Sequence, residues 1–309
     1  MRKNKILLTL LASLMFMLCI QEPLVFSDEK DKDFGTPHTI VSLTSYPKRY
    51  EILTYTLKSL SKQTVAPDII LLNLCNQENT DEDKNVINQI LIHNNLQDKV
   101  KINWINEKIG PYGKLIPALK LFPESTIITI DDDMEYLPNF VENLLKENQQ
   151  FPNYIISNLC SPLRNDCYLS WGGWRDEAIK KHTPTQSVVL YGVGGVLYPP
   201  HSFNNKVFDK DLFMSEFTTT DDIWLTFCAI INGTKIVKTC DIKDRYNFIY
   251  ENSMQKYGFS DIPTLTSINT NTKGKRALGK DHLNLIKVKN ILKGMGIEKI
   301  YLTDNMLKE

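Results

Sequence analysis

Three consecutive carboxylates, Asp131, Asp132 and Asp133, stand in mid-chain directly behind the apolar run Thr126 to Ile130. Adjacent negative charges repel and need a counter-charge. A divalent cation is the usual solution, and all-oxygen ligation suits magnesium or manganese. A second acidic pair, Asp221 and Asp222, follows Thr218 to Thr220 and opens the apolar stretch IWLTFCAII. Carboxylates at a helix start can cap orphan amides, and the helix N-terminus also favours their ionised form, as a general base requires. Gly192, Gly194 and Gly195 crowd four positions behind VVLY, which suggests close backbone approach to a ligand. The GxGG spacing and its late place in the chain exclude a dinucleotide fingerprint.

The elements around these residues read as alternating strands and helices. Residues 38–44 form a first strand ending at Thr44, and apolar spacing from Tyr50 to Gln63 predicts a helix. IILLNL, 69–74, is a second buried strand; Thr80 to His93 is a helix with Thr80 or Asp81 as its cap. VKINWI, 100–105, is a third strand, Tyr112 to Phe122 a short helix, and 126–130 the fourth strand, stopping at the three aspartates. A helix starts near Asn139. This alternation predicts an α/β fold: a mostly parallel central sheet with helices on both faces, Rossmann-like, followed by a less regular second half. In that half, NYIISN is a strand, and 187–200 reads as a strand, a glycine turn and a second short strand. A helix from the Asp221–Asp222 pair is stopped by Gly233; 235–239 is a strand, and Asp281 to Leu292 a closing helix. Open α/β sheets bind ligands at the carboxyl ends of their strands, where Asp131 to Asp133 fall.

The chain has 309 residues, 42% hydrophobic and 10% aromatic, enough to bury a core. Its 36 Lys plus Arg balance 36 Asp plus Glu, so no basic field points to nucleic acid. At the N-terminus, Arg2, Lys3 and Lys5 precede an apolar run from Ile6 to Ile20 that is shorter than a full span of about twenty residues. Residues 1–27 are a signal peptide cleaved after Ser27 or a signal-anchor; either way the remainder is exported or membrane-anchored. A charged stem covers 28–36, and 37–309 is a single catalytic-type domain, divided as 37–135, 136–250 and 251–309. Among six cysteines there is no CxxC pair, which argues against zinc; Cys160 and Cys167 could close a small loop in an oxidising compartment, while the setting of Cys228 favours free thiols. Asn232-Gly-Thr234 is a glycosylation sequon.

An early strand ending in a Thr-Ser turn, a mid-chain strand ending in three Asp, and a later acidic pair opening a helix together resemble GT-A-fold glycosyltransferases. The similarity is to family-two-like bacterial enzymes that elaborate surface polysaccharides, over roughly residues 38–240. The resemblance implies transfer of a sugar from a nucleotide-sugar donor to a saccharide or glycolipid acceptor, with manganese or magnesium bound. In the family's D-x-D motif the first Asp contacts the ribose and the second the metal. Those positions are Asp131 and Asp133 here, with Asp132 between them. The same resemblance places Asp222 as general base, with Asp221 as its alternate or an acceptor ligand. It places Thr44, Tyr46 and Asn73 at the nucleobase, Lys114 at the diphosphate, and Asp133, Asp131 and His282 around the metal. Gly194 and Gly195 fall where such folds face the acceptor. Trp171 and Trp174, flanking Gly172 and Gly173, offer faces for sugar stacking. Lys273, Lys275, Arg276 and Lys280 form a solvated loop or a cationic lid. Direct displacement with one base carboxylate implies inversion.

Two other readings compete. A haloacid-dehalogenase-like phosphatase also uses Asp-x-Asp after a strand, but here Met134 and Glu135 follow and the motif is mid-chain. An exported, non-catalytic carbohydrate-binding module or degenerate enzyme would use the aromatic and glycine segments without an acidic constellation.

Overall fold

The structure is a computed structural model that describes residues 38–163 and 179–241, with 244, 249–252, 256–259, 261–262, 284, 286–288 and 290–291. Its centre is a seven-stranded sheet. In chain order the elements are β1 (Thr39–Thr44), α1 (Tyr50–Leu60), β2 (Ile69–Cys75), α2 (Asp81–His93), β3 (Val100–Ile105), α3 (Ile116–Leu121), β4 (Thr126–Thr129), β5 (Met134–Tyr136) and α4 (Phe140–Gln150). They continue with β6 (Ile155–Pro162), β7 (Val188–Tyr198), α5 (Lys210–Glu216), α6 (Asp221–Ile231), β8 (Ile236–Lys238) and β9 (Ile249–Asn252).

The sheet order is β3-β2-β1-β4-β7-β6-β8, and β5 pairs with β9 in a separate ribbon. β1 is parallel to both β2 and β4, β2 to β3, and β6 to β8; β7 alone runs antiparallel to its neighbours β4 and β6. From β1 the chain builds outward through β2 and β3, then returns to place β4 on the opposite side of β1. The crevice beyond the carboxyl ends of β1 and β4 is therefore the topological switch point of the sheet, where α/β folds bind ligands.

Strands buried on both faces alternate between two layers. Val41 and Leu43 of β1 and Ile70, Leu72 and Leu74 of β2 join Leu53, Leu57, Ile87, Phe140 and Leu144 in one core on the side of α1, α2 and α4. α1 reaches that core because its buried residues recur at helical spacing: Ile52, Leu53, Thr56, Leu57 and Leu60. On the other side an aromatic cluster links the elements: Tyr112 stacks on Phe213 at 4.1 Å, and Trp224 packs on Phe213, Phe217 and Phe227. Each fully buried ring of this kind contributes about 1.5–3 kcal/mol. α2 starts at a capping box: the Thr80 hydroxyl accepts from the Asp83 amide while the Asp83 carboxylate accepts from Thr80. Among the described tail residues, Tyr257 stacks on Tyr55 at 3.7 Å.

Two expectations are corrected. Residues 187–200 do not form strand, turn and strand. Val188–Tyr198 is one continuous strand. The glycines sit in it as a bulge: β6 pairs Ser157 with Val196 and Leu159 with Tyr191, so β7 carries extra residues between those pairs. Gly195 supplies the left-handed φ of +82° that the bulge needs. The helix expected over 112–122 is split. A 3-10 turn, Gly110–Lys114, precedes α3, and Pro at the first turn of each piece restarts the chain.

Candidate active site

The site grows from the parallel register of β1 and β4. Thr39 pairs with Thr126 and Ser42 with Thr129. Extending that register past both strand ends sets Ser45 beside Asp132, and the Ser45 hydroxyl donates to the Asp132 carboxylate at 2.5 Å. β4 ends at Thr129, and Asp132 and Asp133 lie in a turn. The alternation of an extended chain therefore does not hold for the three aspartates. Asp132 and Asp133 meet the same cation: Arg49 reaches Asp132 with Nη1 at 2.9 Å and Asp133 with Nη2 at 2.7 Å. The carbonyl of Asp132 accepts from the Thr56 hydroxyl at 2.9 Å, which ties the turn to α1. Arg49 arrives there because Pro47 starts a 3-10 turn at the end of β1 and Arg49 precedes the first residue of α1. The ring of Tyr46 lies 5.9 Å from its guanidinium carbon.

Asp131 points elsewhere. Its carboxylate lies 3.2 Å from Lys114 Nζ, and Lys114 is also 3.0 Å from Asp221. One buried ammonium thus joins the end of β4 to the start of α6. The Asp131 amide donates to the Tyr136 hydroxyl at 3.1 Å. Gly192 makes room for this arrangement: a Cβ there would meet Lys114 Nζ at 2.6 Å and Asp222 Oδ1 at 3.1 Å. The Gly192 amide donates to Asp222 Oδ1 at 3.1 Å.

Neither acidic residue of the pair acts as a helix cap. Thr220 is the N-cap residue, and no side chain caps that end; its hydroxyl instead accepts from Asn284 at 2.8 Å. The carboxylates instead face Lys114 and the Gly192 amide.

Burial governs the ionisation. It pushes the Asp132 carboxyl up to about 7, since the opposing pull of Arg49 is smaller and Asp133 adds repulsion. It raises Asp133 as well, again against Arg49. Asp222 is held well above the ordinary carboxylate range by burial, then by the negative charge of Asp221, with Lys114 opposing. The expected preference of the helix N-terminus for the ionised form is thus outweighed at Asp222. For Lys114, burial favours the neutral amine, but Asp131, Asp221 and Asp222 together hold its pKa well above normal.

The structure brings together Asp131, Asp132, Asp133, Asp221, Asp222 and Lys114, and it adds Arg49, Ser45 and Gly192. Arg49 escaped sequence reasoning because its partners lie far along the chain, Asp133 84 residues later with α1 to β4 between them. The one signal available was a cation in the turn after β1, the neighbour of β4. Asp131 and Asp133, expected to share one metal, are separated onto two cations by the turn. Among the described residues no three His, Cys, Asp or Glu side chains converge as a metal site. As they stand, these residues do not fit a divalent cation; His282 lies outside the described residues. Thr44 stays at the end of β1 and donates to the Asn73 carbonyl at 2.9 Å, beside Gly113. Asn73 is fully buried and does not face the crevice. Its amide donates to Ser42 at 3.0 Å and accepts from Asn103 at 2.8 Å, a polar ladder across β1, β2 and β3. Gly194 and Gly195 do not face the carboxylates either. A Cβ on Gly194 would meet Leu159 at 3.0 Å, and one on Gly195 would meet Phe140 at 2.4 Å. Trp171, Trp174 and the lysine-rich stretch 273–280 lie outside the described residues, as does Cys167, the possible partner of Cys160; Cys75, Cys228 and Cys240 are free thiols. Among the described residues no helix is long and apolar enough to cross a membrane.

No family model and no curated protein matches the chain. Among solved structures, it is similar to S. aureus TarS 1–349 in complex with UDP, at TM-score 0.46 and 16% identity over 66% of this chain and 58% of that one. It is also similar to S. aureus TarS 1–349 alone, at TM-score 0.44 and 14% identity over 85% and 73%. The complex of the same protein with UDP-GlcNAc gives 0.43 and 14% over 66% and 56%. Likenesses of this degree assign no activity; the sheet order and the acidic crevice stand on their own geometry.

Proposed function

We propose that this chain is a glycosyltransferase that moves a sugar from a nucleoside diphosphate donor to the hydroxyl of a saccharide or glycolipid acceptor. The observation that carries the reading is the meeting of Asp131, at the end of β4, with the acidic pair that opens α6, at the switch point of a mostly parallel sheet. Such a crevice suits a nucleotide at the ends of β1 and β2 and a reacting centre beside the carboxylates.

In the proposed step the acceptor oxygen attacks the anomeric carbon. The bond from that carbon to the diphosphate oxygen breaks, and its electron pair leaves on the diphosphate. The acceptor proton passes to the Asp222 carboxylate. Asp222 suits this role because the Gly192 amide fixes one oxygen and leaves the other to accept, once a bound donor and acceptor bring the carboxyl to its ionised form. Asp221 is held on Lys114 and orients the helix start. A single displacement of this kind inverts the anomeric centre. In this reading the N-terminal hydrophobic segment exports the enzyme or anchors it in a membrane.

Calorimetric titration of the full chain with nucleoside diphosphates and nucleotide sugars tests the proposal. Binding of one nucleoside diphosphate is expected; no binding across the panel overturns it. Asp222→Asn should then keep donor binding and lower transfer by about 10²- to 10⁴-fold. Normal transfer by that variant removes Asp222 as the base.

A further inference from the structure

We infer that Lys114 is the resident cation of this site, holding Asp131 and Asp221 where a divalent metal is otherwise expected, so that diphosphate binding requires no divalent metal. The part that concerns the diphosphate rests on the function proposed above.

Three observations carry the inference. First, the ammonium is built in: Lys114 is 7% exposed, lies within 3.2 Å of carboxylates from two separate elements, and is admitted by the missing side chain of Gly192. Second, each carboxylate of the cluster already faces a cation or a backbone amide, although Asp221 Oδ2, 3.0 Å from Lys114 Nζ, makes no hydrogen bond. Asp132 has Arg49 and Ser45, Asp133 has Arg49, Asp131 and Asp221 have Lys114, and Asp222 has the Gly192 amide. Third, the turn at Asp132 and Asp133 removes the geometry that lets two aspartates of such a triplet face one ion. A metal at Asp133 would have to displace a guanidinium that bridges two buried carboxylates. A metal between Asp131 and Asp221 would have to displace the buried ammonium. Either displaced cation would be left without its partners in a site with little solvent, which is the costly outcome for a buried ion pair. A fixed ammonium can meet the developing charge of a leaving diphosphate as a metal does, from a preset position.

The test uses the full chain and two probes: manganese alone, followed by paramagnetic resonance, and a panel of UDP, GDP, ADP and CDP, followed by calorimetry with EDTA or with manganese. Wild type is expected to take up no manganese. Lys114→Ala, which uncovers Asp131 and Asp221, is expected to gain manganese binding. Lys114→Gln serves as the second variant if the alanine form does not fold. The nucleotide that binds is expected to do so with a dissociation constant equal within about twofold in EDTA and in manganese. Nucleotide binding that appears only with manganese overturns the inference, as does manganese uptake by the wild type. If no nucleotide binds at all, the proposed function fails. The manganese titrations then decide the cation question by themselves: a gain confined to the folded Lys114 variants supports it, and equal behaviour of variants and wild type overturns it.

Discussion

Arg49 and Lys114 stand in the same acidic end of the sheet, each between two aspartates, yet they do different work. Arg49 joins neighbours. Its two partners are consecutive in one turn, and Ser45, four residues before it, holds the free oxygen of Asp132. Lys114 joins distant elements, the end of β4 and the start of α6, and its partner Asp131 keeps 29% of its side chain exposed where Asp132 keeps 5%. One cation ties together consecutive residues of a single turn, and the other, itself the more buried of the two, ties together separate elements. The difference teaches that residue type and adjacency do not fix a carboxylate's role; the backbone geometry between neighbours does.

The contrast can be broken most severely at Arg49. Arg49→Ala leaves Asp132 and Asp133 buried without their cation, and a loss of about 3–5 kcal/mol in unfolding free energy is expected from urea titration. A loss below about 1 kcal/mol would mean the pairing is only surface-like. The glycines of β7 give the next test, because Gly195 faces Phe140 of the core and Gly192 faces Lys114. Gly195→Ala combines a positive φ with a contact of 2.4 Å to Phe140, and about 1–3 kcal/mol of stability should be lost. Gly192→Ala meets the side-chain tips of Lys114 and Asp222 rather than a packed ring, so it should lose less stability than Gly195→Ala while nucleotide affinity falls. If the two variants lose stability equally, Gly192 belongs to the core and not to the crevice.

The smallest effect is in the response to pH. Asp132 is raised from its ordinary value, near 4 in an unfolded chain, to about 7, so the folded state binds its proton more tightly than the unfolded state does. Its contribution to stability is full below pH of about 4 and is lost as pH rises to about 7. Urea midpoints at both ends of that window should show this decline in wild type and a flatter profile in Asp132→Asn. An equal slope in both would assign the titration to another group.

Much of the first half of the molecule was legible in the sequence. β1, β2, β3 and α2 fall where apolar period and capping residues put them: two-sided burial writes the continuous apolar runs of β1 and β2, the edge strand β3 alternates polar and apolar, and a capping box writes Thr80 and Asp83. The glycine segment was misread because glycine signals a turn and a bulge alike. Only the pairing of β6 against β7 distinguishes them. The carboxylates of the site were legible as residue types. Their partners were not, since Arg49 meets Asp132 and Asp133 through the register of β1 on β4, a long-range fact that no local pattern states. Asn73 shows the same limit in reverse. It sits at a strand end that suggests a ligand contact, and the fold uses it inside.

That buried amide has a consequence for how the strands find their alignment. β2 is apolar on both faces from Ile69 to Leu72 and again at Leu74. If it slid by one residue along β1 or β3, one greasy side chain would replace another, and packing alone would punish the error weakly. Asn73 removes that indifference. Displaced either way, its amide loses Ser42 and Asn103 and faces hydrocarbon, at about 1–3 kcal/mol for each unmet group. The ladder acts as an alignment pin. Because β4, which leads into Asp131, takes its register from β1, a side chain that touches no ligand sets the height at which the crevice presents its charges.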